Sequence, residues 1–241
     1  MPEPRTARAD APQRAWFITG GTSGIGAATA RLAAGAGDSV YVTCRDQSRL
    51  DTMVSAAPAG LIRGSVADAS DWAATQVAVG DALDQLGHLN VVFANAGVGA
   101  GGDLLSGDPE QWAAMVMTNV YGVALTVKAT LPALIESRGR LVLTGSVTGR
   151  KALPGSLYGA TKWAVTALGE SVRQQVAGQG VGVTVIEPGI VDTQFWPSRD
   201  AWPFAQALTP DDVASTVLWA VDQPDHVDVN ELLVRVKGQP A

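Results

Sequence analysis

Short runs of β-branched residues alternate along this chain with longer Ala-rich stretches, the pattern of a parallel sheet covered on both faces. The pattern predicts strands at Ala15–Thr19, Ser39–Thr43, Gly60–Gly64, Leu89–Ala94, Gly139–Thr144, Val181–Glu187 and Leu232–Val236. It predicts helices at Gly24–Gly35, Ser48–Ala56, Ser70–Leu86, Asp108–Ser137, Ser156–Gly178 and Pro210–Asp222. Thr209 followed by Pro210 reads as an N-cap with proline at the first helical position, and Asp211 and Asp212 suit the first turn. The expected fold is α/β, a doubly wound parallel seven-stranded sheet with helices on both faces. No linker-like stretch divides the chain, so residues 15–241 read as one domain.

Two segments depart from the alternation. Residues 1–14 are rich in Pro and Arg, lack an apolar core of the kind a secretory signal carries, and read as a disordered tail. Residues 193–208 place Phe195, Trp196, Trp202 and Phe204 in a proline-broken loop between a strand and a helix. Apolar aromatics there suit a segment that closes over a substrate; the plainer reading is that they pack the loop onto the body or a neighbouring subunit.

Composition narrows the partners. The formal net charge is −6, which argues against a nucleic-acid surface. An anionic dinucleotide stays compatible with that charge, because its phosphates meet backbone N–H groups and a helix N-terminus. Cys44 is the one cysteine, so no intrachain disulfide forms and an oxidising compartment is not required. No run of apolar residues appears long enough to span a bilayer, and the cell interior is the expected address. No Cys, His and carboxylate cluster has metal-ligand spacing, so no metal is expected.

Chemistry enters through four motifs. Thr19-Gly20-Gly21-Thr22-Ser23-Gly24-Ile25-Gly26 follows an expected strand and opens an expected helix, the setting a nucleotide-binding glycine loop needs. Gly20 allows the tight turn, Gly24 lets backbone approach a diphosphate, and Gly26 lets the helix lie close to the sheet. Asn95-Ala96-Gly97 follows the fourth strand, Ser146 follows the fifth, and Tyr158-Gly159-Ala160-Thr161-Lys162 opens a long helix. Tyr158 and Lys162, four apart, face the same way. A phenol titrates near pH ~10 when unperturbed. A neighbouring ammonium is expected to pull Tyr158 down from there and make it a usable proton donor and acceptor.

This order of residues resembles the short-chain dehydrogenase/reductase family in its single-domain form, from about Ala15 to about Gly238. The resemblance implies a nicotinamide cofactor and hydride transfer between a carbonyl and a secondary alcohol. It implies that Tyr158 is the general acid/base, Lys162 its electrostatic tuner and ribose ligand, and Ser146 the hydroxyl that orients the substrate oxygen. Asn119 matches the fourth member, which in the family sits in a distorted turn of a long helix and holds a water linking the lysine to solvent.

Cofactor-binding residues follow from the same motifs: Gly20, Thr22, Ser23, Gly24, Ile25 and Gly26 in the first loop, Asn95, Ala96 and Gly97 after the fourth strand, and Tyr158 and Lys162. Pro188, Gly189, Ile190 and Thr193 resemble the segment that holds the nicotinamide carboxamide. Where family members often carry an Asp before a Val to contact adenine, the expected pair here is Ser65 and Val66. Where the fourth strand often begins with Asp, this chain has Asn90 in a structural role.

NAD enzymes normally place an acid at the end of the second strand to bond the ribose. Cys44 stands there instead and Arg45 follows, a guanidinium suited to a 2′-phosphate. NADP(H) is favoured, with NAD(H) the alternative. The substrate is expected to be a small carbonyl or alcohol, with hydroxy acids and secondary-metabolite ketones or aldehydes in view, and the chain is expected to form a homodimer or homotetramer. An expectation from another class is a catalytically silent NADPH-binding sensor or scaffold. It predicts an eroded set of four, whereas Asn119, Ser146, Tyr158 and Lys162 are all retained.

Overall fold

The computed structural model describes residues 13–58, 60–195 and 206–239. Seven strands form one parallel sheet in the order β3-β2-β1-β4-β5-β6-β7, with β1 at Ala15–Thr19, β2 at Ser39–Cys44, β3 at Ile62–Val66, β4 at Val91–Ala94, β5 at Arg140–Thr144, β6 at Gly182–Pro188 and β7 at Glu231–Val234. The strand order reverses between β1 and β4, so the loops after these strands part and leave a crevice at their C-terminal ends.

The helices are α1 (Gly24–Gly35), α2 (Gln47–Ala56), α3 (Trp72–Leu86), α4 (Pro109–Val116), α5 (Val123–Ser137), α6 (Leu157–Val176) and α7 (Pro210–Val221). Two apolar cores sandwich the sheet. One joins Phe17, Val92, Leu141 and Val183 to α3, α5 and α6; the other joins Trp16, Ile18, Val42 and Ile186 to α1 and α7. Strands covered on both faces need no polar alternation, which is why β1, β4 and most of β2 are buried along their length. Thr209 and Asp212 complete a reciprocal capping box at the start of α7.

Three expectations change. The long helix expected at Asp108–Ser137 is interrupted by a π-helical turn, Met117–Gly122, that buries Asn119 and Gly122. Through that turn, Pro109–Ser137 is long and apolar enough, by length and composition alone, to cross a membrane, contrary to the sequence reading. Here its apolar positions Val123, Val127 and Leu134 belong to the core beside α3 and α6. Gln13 and Arg14, assigned to the tail, are tied to the body. Arg14 pairs with Asp222 at 2.8 Å and its amide donates to Asp38 at 3.0 Å, while the Gln13 side chain donates to the Gly37 carbonyl at 2.8 Å. Asn90 takes a structural place, its Oδ1 accepting from the Ala15 amide at 2.9 Å.

Candidate active site

The first loop lies at the crevice between β1 and β4. Gly20 adopts φ +63°, a left-handed conformation that glycine enters without strain. Gly26 has no room for a side chain: a Cβ there would meet the Gly20 carbonyl oxygen at 2.4 Å and Asn95 Nδ2 at 2.6 Å. The loop thus folds back onto its own helix, and α1 aims its first-turn N–H groups at the crevice. A cleft of about 760 Å³ opens there, lined by Thr22, Ser23, Gly24, Arg49, Thr193 and Gln194 among others. Ser23 makes no side-chain bond to cap α1, and Ile25 turns the other way, against the core.

Asn95 is a stitch between strands. Its Nδ2 donates to the carbonyls of Thr19 (3.1 Å) and Gly20 (3.3 Å), its Oδ1 accepts from Thr144 Oγ1 (3.2 Å), and its amide donates to Thr19 Oγ1 (3.0 Å). Ala96 donates to the same Thr19 hydroxyl at 3.1 Å. Thr19 and Thr144 were not singled out by sequence reasoning; a threonine at a strand end carries no signal until the neighbouring strand is known.

At the end of β2, Cys44 is buried and Arg45 is exposed. Arg45 lies close enough to Asp68 to act on it electrostatically. Burial works to raise the Asp68 carboxyl, but the Ser70 hydroxyl and amide, at 2.7 and 2.9 Å, and the Arg45 guanidinium together bring it below its usual value. Ser65 and Val66, the pair expected at the adenine, are the last two residues of β3. Both are paired across to β2, with Thr43 and Cys44; Ser65 lies close enough to Tyr41 to act on its phenol, and Val66 is exposed. Asp68 follows two residues beyond the end of β3.

At the catalytic end, four side chains from distant segments converge. The π-turn swings Asn119 inward, where Oδ1 accepts from the Val98 amide at 2.8 Å and Nδ2 donates to the Val98 carbonyl at 2.9 Å and to Thr161 Oγ1 at 3.2 Å. Ser146 caps a 3-10 turn, Val147–Gly149, its hydroxyl accepting from the Thr148 amide (3.2 Å) and hydroxyl (3.0 Å). Ser146 also lies close enough to Tyr158 to lower its phenol. Ser156 caps α6 and sets Tyr158 and Lys162 in its first turns. Lys162 Nζ donates to the Thr144 carbonyl at 2.8 Å and lies 5.7 Å from the centre of the Tyr158 ring. Gly97 fits between Asn119 and Lys162, where an added Cβ would stand 3.4 Å from Oδ1 and 3.7 Å from Nζ.

The electrostatics differ from the expectation that Lys162 depresses the phenol. Burial dominates both groups: it pushes Tyr158 up to about 12, against the lowering effect of Ser146, and it brings Lys162 down to about 8. A lysine so shifted gives up its proton easily, and a phenol so shifted keeps its own until a partner needs it.

The segment after β6 closes the site. Pro188 ends the strand, the Gly189 amide donates to the Val234 carbonyl at 2.7 Å, and Ile190 is buried. Thr193 lies against the first loop, its Cγ2 3.1 Å from where a Cβ on Gly24 would be. Phe195 reaches back over the catalytic helix, its ring 5.3 Å from that of Tyr158 and against Gly99. Trp196, Trp202 and Phe204 lie outside the described residues.

Comparison with known proteins agrees with this arrangement. The family model for short chain dehydrogenase matches residues 14–203. The chain is 33% identical over 223 residues to an uncharacterized oxidoreductase of Staphylococcus saprophyticus, covering 90% of this chain and 95% of that one. Among solved structures, an alcohol dehydrogenase from Thermococcus sibiricus complexed with 5-hydroxy-NADP superposes with a TM-score of 0.88 at 29% identity, covering 95% of this chain and all of that one. Serine dehydrogenase from Escherichia coli superposes at 0.84 with 28% identity, covering 94% and 99%. With a nucleotide-type glycine loop at one end of its crevice and a serine, a tyrosine and a buried lysine gathered at the other, this chain belongs to the short-chain dehydrogenase family and is an oxidoreductase.

Proposed function

We propose that the protein is an NADP(H)-dependent carbonyl reductase or alcohol dehydrogenase acting on a small molecule. The observation that carries this reading is the convergence of Ser146, which acts on the Tyr158 phenol, with a buried Lys162 whose Nζ lies 5.7 Å from the Tyr158 ring centre. The first loop supplies the test of fit for the cofactor. A Cβ on Gly26 would collide with the Gly20 carbonyl, so the chain keeps this backbone bare beside the N-terminus of α1, as a diphosphate requires. Arg45, with no acid at Cys44, would meet a 2′-phosphate, and Ser65 and Val66 at the end of β3 would face the adenine side. Gly189, Ile190 and Thr193 would hold the nicotinamide end.

The bound nicotinamide supplies or accepts the hydride. Ser146 and Tyr158 donate to the substrate oxygen and stabilise the charge that develops on it. In reduction, the Tyr158 hydroxyl gives its proton to that oxygen, and in oxidation it takes one. Lys162, already lowered by burial, is poised to return the proton. Asn119 holds the backbone at Val98 and the Thr161 hydroxyl beneath this set. Phe195 covers the Tyr158 ring and begins the segment that would close over the substrate.

The similarity to serine dehydrogenase makes hydroxy acids the first substrates to try, with secondary-metabolite ketones and aldehydes next. Exposed Val116, Met117 and Tyr121, with Trp163 of α6, leave an apolar face that a second copy would cover, supporting a dimer or tetramer in the cell interior. The test is turnover of a carbonyl and alcohol panel with NADPH and NADH, followed at the nicotinamide absorbance. Turnover with NADPH preferred is the expected result. Dinucleotide binding with no turnover across the panel would instead make this a silent sensor.

A further inference from the structure

Glu187 is almost completely buried, at 1% exposure, as the last but one residue of the strand β6, immediately before Pro188 and Gly189. Its carboxylate has partners from two other segments. Arg150 Nε donates to Oε1 at 2.9 Å and to Oε2 at 3.1 Å, and Thr166 Oγ1 donates to Oε1 at 3.1 Å. Arg150 directly follows the 3-10 turn that Ser146 caps, and its other end pairs with Glu231 of β7. Thr166 stands one helical turn beyond Lys162, and its hydroxyl lies 3.2 Å from the Lys162 carbonyl. The same turn presses on α6, since a Cβ on Gly149 would meet the Lys162 carbonyl oxygen at 2.8 Å.

A buried carboxylate is a costly way to hold a fold, and apolar residues of similar volume often serve stability as well or better. Burial does push the Glu187 carboxyl up, against the pull of Arg150. Its placement gives it a different use. The serine turn, the tyrosine and lysine helix, and the Pro188-Gly189 turn come from three separate parts of the chain, and Glu187 is bonded to or continuous with each.

We infer that Glu187 is a positioning residue for hydride transfer, setting Ser146, the Tyr158 and Lys162 helix, and the nicotinamide turn in one register through Arg150 and Thr166. This rests on the oxidoreductase reading above. Catalysis is sensitive to such register because an error of about 1 Å at the reacting atoms can cost on the order of 100-fold in rate.

The test compares wild type with a Glu187→Leu, Arg150→Leu double variant, which leaves neither charge of that pair stranded, and with Glu187→Gln, which keeps an acceptor for both partners. Thr166→Val gives a milder cut should the double variant fail to fold. A positioning role predicts a folded double variant whose NADPH affinity stays within about threefold while kcat falls about 30- to 100-fold, with Glu187→Gln recovering most of the rate. The crystal structure of the double variant should show Ser146 and Tyr158 shifted relative to each other. Thr166→Val should lower kcat with little change in melting temperature. If kcat stays within about threefold of wild type, or the placement of Ser146 relative to Tyr158 is unchanged, Glu187 is structural only and the inference is overturned. Should wild type be silent on every carbonyl, the functional reading fails separately, and the crystallographic comparison still decides whether Glu187 positions these side chains.

Discussion

Asn119 and Val98 are joined by two hydrogen bonds, the asparagine side chain accepting from the Val98 amide and donating to its carbonyl as a neighbouring strand would. Val98 lies just beyond the Asn95-Ala96-Gly97 turn, and Asn119 lies in the π-turn between α4 and α5. An asparagine in a helix interior is mildly unfavourable by propensity. Here the extra residue of the π-turn carries it inward, where every polar atom of its side chain has a protein partner. The role expected for it as a water-holding group falls outside these side-chain bonds; what they supply is a clamp on the floor of the site. Four outcomes follow for the residues above that floor.

Tyr158→Phe should fold and bind NADPH as wild type does, yet lose about 10³-fold or more in kcat, because it removes the one transferable proton. Since the phenol sits well above neutrality, reduction should run without loss at pH 7, while alcohol oxidation should climb as pH rises. Steady-state rates in both directions across pH check this, and substantial residual rate in the variant would sink the assignment.

Lys162 should cost stability at neutral pH. Its folded value near 8 lies below the ordinary 10.5, so between those values the unfolded chain holds more protons and stability rises with pH. Below pH 8 the whole penalty, on the order of 3 kcal/mol before the Thr144 bond is counted, is present. Lys162→Met should therefore unfold at higher denaturant than wild type at pH 7, with the gap closing toward pH 10. Tyr158 acts oppositely above pH 10, where its raised value makes stability fall, so the comparison belongs below that. Parallel curves for the two proteins would contradict the burial argument.

Arg45→Asp should weaken NADPH by about 10- to 100-fold, the scale of a lost charge-assisted contact, and leave NADH within about threefold. Fluorescence titration with both dinucleotides reads this out. Equal effects on the two would return Arg45 to the surface, where it acts on Asp68 electrostatically.

Phe195→Ala should raise KM for the carbonyl by about 3- to 10-fold, in keeping with the loss of a half-covered aromatic contact, with NADPH affinity almost intact. Because Phe195 also lies over Tyr158 and Gly99, a fall in thermal stability with unchanged KM would mark it as packing alone.

The sequence by itself determined the layered α/β architecture, the positions of nearly all strands and helices, and the identity of the residues at both ends of the crevice. These are local matters: β-branched runs, Ala-rich stretches, caps such as Thr209, and glycines such as Gly26 report on their own surroundings. Tertiary structure alone decided what depends on neighbours far along the chain. The π-turn at Asn119 exists because the helix must place a side chain against Val98 while Gly122 closes on the Ala69 backbone. The partners of Asp68, the Ser70 hydroxyl and amide and the Arg45 guanidinium from beyond β2, became visible only once β2 and β3 were paired. The sequence put an ammonium beside a phenol and implied a lowered phenol. The fold buried both, and desolvation, which depends on everything packed around a group and on nothing within it, set the opposite direction.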